Sequence, residues 1–347
     1  MVRHYNRTSS QGRIFSKTAK MVKLTKFGFS STGDEVVQTF PDRVKGKIIV
    51  ITGPSPGGIG AETAISLAKA SPALLLLAGR AESKISPLIQ EIQSKYPAVA
   101  TKFIKLDLGS QASVRSAATE INSSVERIDI LINNAAVMVC PYGKTEDGIE
   151  TQFGTNHIGH FLLTNLLMNK ILNAGLGARI VNVSSSAHRS GEMRFNDWNF
   201  EDGKVYNEWE AYGQSKTANI LFSVALAKKL KNKGIFSYSL HPGSIRSGLQ
   251  VYVTDSILAD GLARAVAAEA KAGRVFERAP QKTTQQGCST TLVAALDPAL
   301  EGHNGTFLWD GDIAENKPPE GATNEENAER LWKLSEDLVG EKFSIKD

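Results

Sequence analysis

Residues 47–60 read Lys47-Ile48-Ile49-Val50-Ile51-Thr52-Gly53-Pro54-Ser55-Pro56-Gly57-Gly58-Ile59-Gly60. A β-branched run closes on threonine, a glycine-rich turn follows, and a helix-compatible stretch begins at Ile59. Glycines at such a turn permit a tight bend and close approach of backbone to a pyrophosphate, and the helix after it offers free N–H groups to phosphate oxygens. The expected phosphate-side contacts are Gly53, Gly58, Ile59 and Gly60. A nucleotide-hydrolysing P-loop needs lysine where Ile59 stands, which excludes that version. A glycine turn with no ligand is the plain alternative, since such loops also serve as connections.

Beyond this turn, strand-like and helix-like stretches alternate, the pattern of an α/β doubly wound parallel sheet with helices on both faces. Strands are expected at Lys47–Thr52, Ala73–Ala78, Lys102–Leu106, Ile128–Ile132, Arg179–Val183, Ile235–Leu240 and Thr306–Leu308, about seven in all. Helices are expected near Ile59–Ala70, Lys84–Lys95, Gln111–Ser123, Glu150–Leu172 and Tyr212–Lys233, the last closed by Gly234 after a lysine-rich turn. No linker or repeat interrupts this order, so residues 41–347 read as one domain.

Residues 1–40 form a basic leader, expected to be disordered. Within residues 1–33 stand Arg3, Arg7, Arg13, Lys17, Lys20, Lys23 and Lys26 with no acidic residue, leaving 33 basic against 36 acidic residues in the rest. The formal charge of +4 therefore lies in the leader, and no basic body suggests nucleic acid. A leader of this composition resembles an organellar presequence, so a mitochondrial location stands as the alternative to a cytoplasmic one. Cys140 and Cys288 are the only cysteines, which excludes a disulfide framework, and no apolar run reaches the roughly 20 residues of a membrane helix.

The second strand ends in Gly79-Arg80, about twenty residues past Gly60. An acidic residue there would hold the ribose 2′-hydroxyl of NAD, whereas arginine suits a 2′-phosphate, so NADP(H) is the expected cofactor. NAD stays the alternative because Glu82 is near, and Arg80 could equally be a solvated loop charge. Farther on, Tyr212 and Lys216 stand one helical turn apart on one face. A fixed positive charge favours the phenolate, and lowering a phenol by roughly three pH units needs about 4 kcal/mol. One lysine rarely supplies that much; an oxidised nicotinamide beside the phenol would add to it.

These residues, in this order, resemble the short-chain dehydrogenase/reductase superfamily from about Lys45 to Trp309. The likeness is nearest to its retinol-dehydrogenase-like and WW-domain-oxidoreductase-like branch, of fungal type. The phrases that carry it are Leu106-Asp107-Leu108, Ile132-Asn133-Asn134-Ala135-Ala136, Thr155-Asn156-His157-Ile158-Gly159-His160-Phe161, Val181-Asn182-Val183-Ser184-Ser185-Ser186-Ala187-His188 and His241-Pro242-Gly243. The resemblance implies a Rossmann fold and gives each position a role. Asp107 caps the adenine pocket, and Asn133 begins the turn beneath the cofactor. Asn156 holds a water of the proton relay, Ser185 hydrogen-bonds the reacting oxygen, Tyr212 is the acid/base, and Lys216 also reaches the nicotinamide ribose. Pro242 and Gly243 form the turn beside the nicotinamide, with Ser247 where the family usually has threonine.

Two features depart from the family pattern. Pro54, Ser55, Pro56 and Gly57 put four residues between the first two loop glycines instead of three, which leaves open whether Gly57 or Gly58 meets phosphate. Ser185 and Tyr212 are 27 residues apart, a long interval that the resembled branch shares. The insert at 189–211 holds Phe195, Trp198, Phe200, Tyr206 and Trp209, which could wall an apolar site or simply pack locally. A second covering segment is expected near 244–285, where the alanine-rich run Gln250–Arg278 lies; a plain packed helix reads equally well.

His157 and His160 lack acidic or cysteine partners at ligand spacing, so no metal is expected, and His188 and His241 read as structural. Cys140 reads as a buried, inert thiol. The expected activity is NADP-dependent alcohol–carbonyl interconversion on an apolar small molecule or lipid-like metabolite, in metabolite biosynthesis by analogy with the resembled branch. A non-catalytic dinucleotide-sensing protein is the alternative. Against it, Asn156, Ser185, Tyr212 and Lys216 are all intact. A homo-oligomer is left open by helix Tyr212–Lys233, whose apolar residues on several sides suit either core burial or a subunit contact.

Overall fold

A computed structural model describes residues 23–345 except Ala272, Arg274 and Ala279. The strands are β1 (Ile48–Thr52), β2 (Leu74–Gly79), β3 (Ala100–Lys105), β4 (Ile130–Asn133), β5 (Arg179–Val183), β6 (Phe236–His241), β7 (Ser244–Ile245), β8 (Gln281–Lys282), β9 (Phe307–Trp309) and β10 (Asp312–Ile313). The helices are α1 (Gly33–Thr39), α2 (Ile59–Ala68), α3 (Glu82–Lys95), α4 (Gln111–Ser124), α5 (Thr151–Phe153), α6 (Gly159–Leu166), α7 (Met168–Ala174), α8 (Glu208–Lys229), α9 (Asp255–Lys271), α10 (Thr284–Leu296) and α11 (Glu325–Val339). The sheet runs β10-β9-β6-β5-β4-β1-β2-β3. Seven strands are parallel, with bounds within two residues of those read from the sequence, and antiparallel β10 is an eighth.

Alternation along the strands divides the core. Val50, Leu76, Leu131 and Ile180 face α4, α6, α8 and α11 on one side. Ile49, Ile51, Leu75, Leu77, Ile132 and Val181 face α1, α2, α3 and α10 on the other. Strand order reverses between β1 and β4, and ligands of open α/β sheets bind in the crevice beyond the carboxyl ends of the strands at such a point.

Four features differ from the sequence expectations. Positions 1–22 of the basic leader lie outside the described residues, but the ordered body begins before residue 41. Thr32 and Glu35 form a capping box for α1, Val36 and Val37 are buried against the α10 side of the core, and Thr25 Oγ1 donates to the Gly311 carbonyl at 2.5 Å. Apolar contacts and a backbone tie thus order this part of the chain. The eighth strand follows a two-residue turn, Asp310-Gly311, with both φ positive (51° and 75°), the type I′ geometry that joins tight hairpins. Helix α8 starts at Glu208, ahead of Tyr212, because Asn207 accepts from the N–H groups of Trp209 and Glu210. The stretch expected as one helix from Glu150 to Leu172 is broken into α5, a π-helical turn at Gly154–Ile158, α6 and α7.

Every residue of α8 from Ala211 to Ser223 is buried, so core packing accounts for its apolar sides. No helix among the described residues is long and apolar enough to cross a membrane.

Candidate active site

Ser185, Tyr212 and Lys216 come together beyond the carboxyl end of β5. The Ser185 side chain lies close enough to the Tyr212 phenol to favour its phenolate, and Ser185 Oγ accepts from the Ala187 N–H at 3.2 Å. Lys216 Nζ donates to the Val183 carbonyl at 2.9 Å and stands 5.6 Å from the centroid of the Tyr212 ring. Both α8 side chains are almost wholly shielded from water.

That burial sets their protonation. It pushes the phenol up to about 12, against a smaller lowering from Ser185, and holds the Lys216 ammonium down at about 7. Within the protein alone, desolvation by burial is the larger influence on the phenol.

Two buried histidines fix the turn that carries Ser185. The carbonyl of Ser185 can only accept, so His188 donates to it through Nδ1–H at 2.6 Å; the Ser186 N–H donates to His241 Nδ1 at 3.0 Å, which places the His241 proton on Nε2. Burial lowers His188 to about 4 and, with help from nearby cations, takes His241 well below the ordinary range, so both act as neutral rings.

Asn156 lies in the π-helical turn. Its Oδ1 accepts from Val137 N–H at 2.8 Å, and its Nδ2 donates to the Val137 carbonyl and to Ser215 Oγ at 2.9 Å each. Its own carbonyl accepts from His160 Nδ1–H at 3.0 Å and from Asn219 Nδ2 at 2.9 Å. One lone pair of Oδ1 remains for any other partner, so the side chain works chiefly as a tie between the segment after β4 and α8.

Dinucleotide chemistry fits the loop after β1. Gly58 N donates to the Ser55 carbonyl at 3.0 Å, with Pro56 and Gly57 (φ +74°) at the central positions where a type II turn favours proline then glycine. This turn absorbs the additional residue, and a Cβ on Gly57 would meet open space. Gly58 caps α2 without a side-chain bond, which leaves first-turn N–H groups available beside Ile59. Gly53 (φ +66°) and Gly60 press on the β4 turn, where a Cβ would stand 2.7 Å from Ala135 and 2.5 Å from Asn134 respectively.

Arg80 is exposed just past β2, without an ion pair among the described residues. Asp107 Oδ1 accepts from Gly109 N–H at 2.9 Å. Asn133 turns inward, donating to Thr164 and Asn182, so it braces the strands from below. Pro242 and Gly243 (φ +110°) follow β6, and Ser247 caps a short 3₁₀ turn through Leu249 N–H.

Sequence reasoning missed the clamp on this loop. Asn134 Nδ2 donates to the carbonyls of Thr52 (2.9 Å) and Gly53 (3.2 Å), while Thr52 Oγ1 accepts from Asn134 and Ala135 N–H and meets His160 Nε2 at 2.8 Å. With Nδ1–H engaged at Asn156, neutral His160 accepts the Thr52 hydroxyl proton at Nε2. The signal was the second asparagine of Asn133-Asn134 and a hydroxyl just before the first loop glycine.

Tyr212 is flanked by Met138, Val139 and Ala187, with Trp209, Leu249, Val253 and Ile257 around them in one apolar wall. Of the five aromatics at 189–211, Trp209 alone belongs to this wall, edge-on to Tyr212 at 6.3 Å. Phe195 and Trp198 pack on the core, while Phe200 packs edge-on to Tyr206. Cys140 is buried and its thiol is pushed up to about 11 by desolvation. A cleft of about 310 Å³ lined by Met193–Asp197 and Arg330 shares no residue with this wall.

Residues 47–257 match the family described as short chain dehydrogenase. The chain is 41% identical over 295 residues to retinol dehydrogenase 12 of Bos taurus, covering 85% of this chain and 87% of that one. It is 38% identical over 300 residues to retinol dehydrogenase 13 of Homo sapiens, covering 86% of each. Among solved structures, an uncharacterised protein from Mycobacterium paratuberculosis superposes with a TM-score of 0.65 at 30% identity, over 87% of this chain and 96% of that one. The NADPH-bound carbonyl reductase from chicken fatty liver shares the fold, with a TM-score of 0.54 at 20% identity over 78% and 99% of the two chains.

Proposed function

Because this chain belongs to the short-chain dehydrogenase family, and is thereby an NAD(P)-dependent oxidoreductase acting on CH–OH groups, we propose that it interconverts an alcohol and a ketone or aldehyde on an apolar, lipid-like small molecule with NADP(H). The observation that carries this reading is the convergence of the Ser185 and Tyr212 side chains, with Lys216 one turn along, at the carboxyl edge of the sheet. A bound nicotinamide supplies or accepts the hydride. The protein's part is to place and protonate the reacting oxygen.

In reduction, negative charge grows on the carbonyl oxygen, and the hydroxyls of Ser185 and Tyr212 converge as donors to it. Burial keeps the phenol protonated at neutral pH, so Tyr212 starts the reductive direction with a proton to give. In oxidation the same oxygen must take a proton back, which requires compensating positive charge; Lys216 is the nearest group able to contribute it. The wall of Met138, Val139, Trp209, Val253 and Ile257 keeps water away and matches an apolar substrate, in keeping with relatives named as retinol dehydrogenases. Gly53, Gly58, Ile59 and Gly60 would hold the pyrophosphate, Arg80 the 2′-phosphate, Asp107 the adenine end, and Pro242 and Gly243 the nicotinamide end, with Asn133 and Asn156 as braces.

The reading is tested by following NADPH absorbance with a panel of apolar ketones and aldehydes. Turnover by the wild type that falls about 100-fold or more in Ser185→Ala supports it. Failure of every apolar carbonyl, with polar ones turned over instead, contradicts the substrate class.

A further inference from the structure

Helix α9 (Asp255–Lys271) is built the wrong way round for a surface helix. Such helices turn an apolar stripe to the core and a polar one to water. Between Ile257 and Ala270 the exposed positions of α9 are Leu258, Ala259, Leu262, Ala263, Val266, Ala267 and Ala270, without a polar side chain among them. The charged residues between these positions, Asp260, Arg264 and Glu269, are tied down in ion pairs, while Asp255 and Lys271 are exposed at the two ends of the helix. Arg264 pairs with Glu210 and Asp260 at 2.8 Å each, Asn207 donates to Asp260 at 3.2 Å, and buried Glu269 pairs with Arg189.

Leu258, Leu262 and Val266 recur every fourth residue, and each is about half exposed (49%, 47% and 47%). Val251 and Tyr252 precede the helix and Val275 follows it, all exposed. Among the described residues, six of the nine exposed large hydrophobic ones therefore fall within positions 251–275, which makes this a concentrated patch and not the ordinary scatter of surface apolar groups. The helix is also fixed in place from beneath. Trp209 donates from Nε1 to the Ile257 carbonyl at 2.7 Å, and a Cβ at Gly261 would stand 2.5 Å from the Trp209 ring. The base of the excursion is closed by the pairing of β7 with β8.

We propose that the outward face of α9 rests on a lipid surface, with the Leu258–Leu262–Val266 row dipping into the headgroup–acyl boundary. Size selects this occupant over a second copy of the chain. The face runs about 18 Å at one helix width of roughly 10 Å, a footprint near ~200 Å², whereas a stable dimer buries about 800 Å² on each partner. At 17 residues the helix is also short of the length that spans a bilayer, and lying in the interface plane is what an apolar-faced helix of this kind does. Its position adds to the argument. Ile257, at its inner end, belongs with Val253 and Leu249 to the apolar wall around Tyr212, so a lipid surface at α9 lies about one helix thickness from that wall.

The test is flotation of the full chain with phosphatidylcholine vesicles at low and high salt. Wild type is expected to float with neutral vesicles, reversibly and without loss at high salt, because the contact face carries no charge. The variant Leu258→Gln/Leu262→Gln/Val266→Gln is expected to lower the bound fraction roughly tenfold or more, with circular dichroism and NADPH binding unchanged. Leu262→Gln alone should give a partial loss if the triple variant folds poorly, while Leu176→Gln, at an exposed leucine elsewhere, should leave flotation intact. The proposal is overturned if wild type stays with the lipid-free fraction, if the triple variant floats equally well, or if high salt abolishes binding. It is also overturned if light scattering shows a lipid-free dimer that the triple variant converts to monomer. Flotation needs no turnover, so its failure leaves the active-site reading standing.

Discussion

At the scale of single residues, the site is governed by how completely its polar groups are withdrawn from water. Tyr212 and Lys216 shift in opposite directions for one reason, that each is disfavoured as an ion when buried. The sequence showed the pair and its spacing, but it could not show burial, so the direction of the phenol's shift was illegible in it. Arg80 is the opposite case, an exposed cation whose type and distance from Gly60 were both readable. Replacing Arg80 by alanine should weaken NADPH binding about 10- to 100-fold and NADH binding about twofold or less, read by fluorescence titration. Equal losses would remove the 2′-phosphate contact from the account.

The elements differ in how plainly they were written. The inner strands β1, β2 and β4 are apolar nearly along their whole length because both faces are covered, and that made them easy to read. The π-helical turn that carries Asn156 was not legible, because a break enforced by ties to Val137, Ser215 and Asn219 leaves no mark on hydrophobic periodicity. The start of α8 and the β9–β10 hairpin were legible in principle, through Asn207 and Asp310-Gly311. The glycine loop separates two kinds of constraint. Gly57→Ala should cost about 1 kcal/mol through its positive φ alone. Gly60→Ala should cost about 1–3 kcal/mol and loosen NADPH binding, because its methyl runs into Asn134 and Gly53. Melting curves and cofactor titrations compare them; equal effects on NADPH affinity would show that the Asn134 clamp does not shape the cradle.

For the whole molecule, four buried histidines decide the response to acid. His157 is held down at about 3, His160 and His188 at about 4, and His241 well below its ordinary range, in each case chiefly by burial. Unfolded histidines take up protons near pH 6.5 and these folded ones do not, so their contribution is present above pH 6.5 and lost as pH falls toward 4. Glu150 works the other way: burial raises it to about 7, so its contribution is present below pH 4.5 and lost as pH rises through 7. Four shifts outweigh one of similar size, and the urea midpoint should fall between pH 7 and pH 5; a rise would show that Glu150 dominates. This balance depends on packing drawn from every layer of the fold, beyond what spacing along the chain reveals. The central claim concerns a smaller volume, where the Ser185 and Tyr212 hydroxyls converge beside Lys216. Its most direct test is single-turnover NADPH oxidation by Tyr212→Phe with any apolar carbonyl that the wild type reduces. The account predicts a rate lower by about 100- to 10,000-fold with NADPH still bound; an undiminished rate would contradict it.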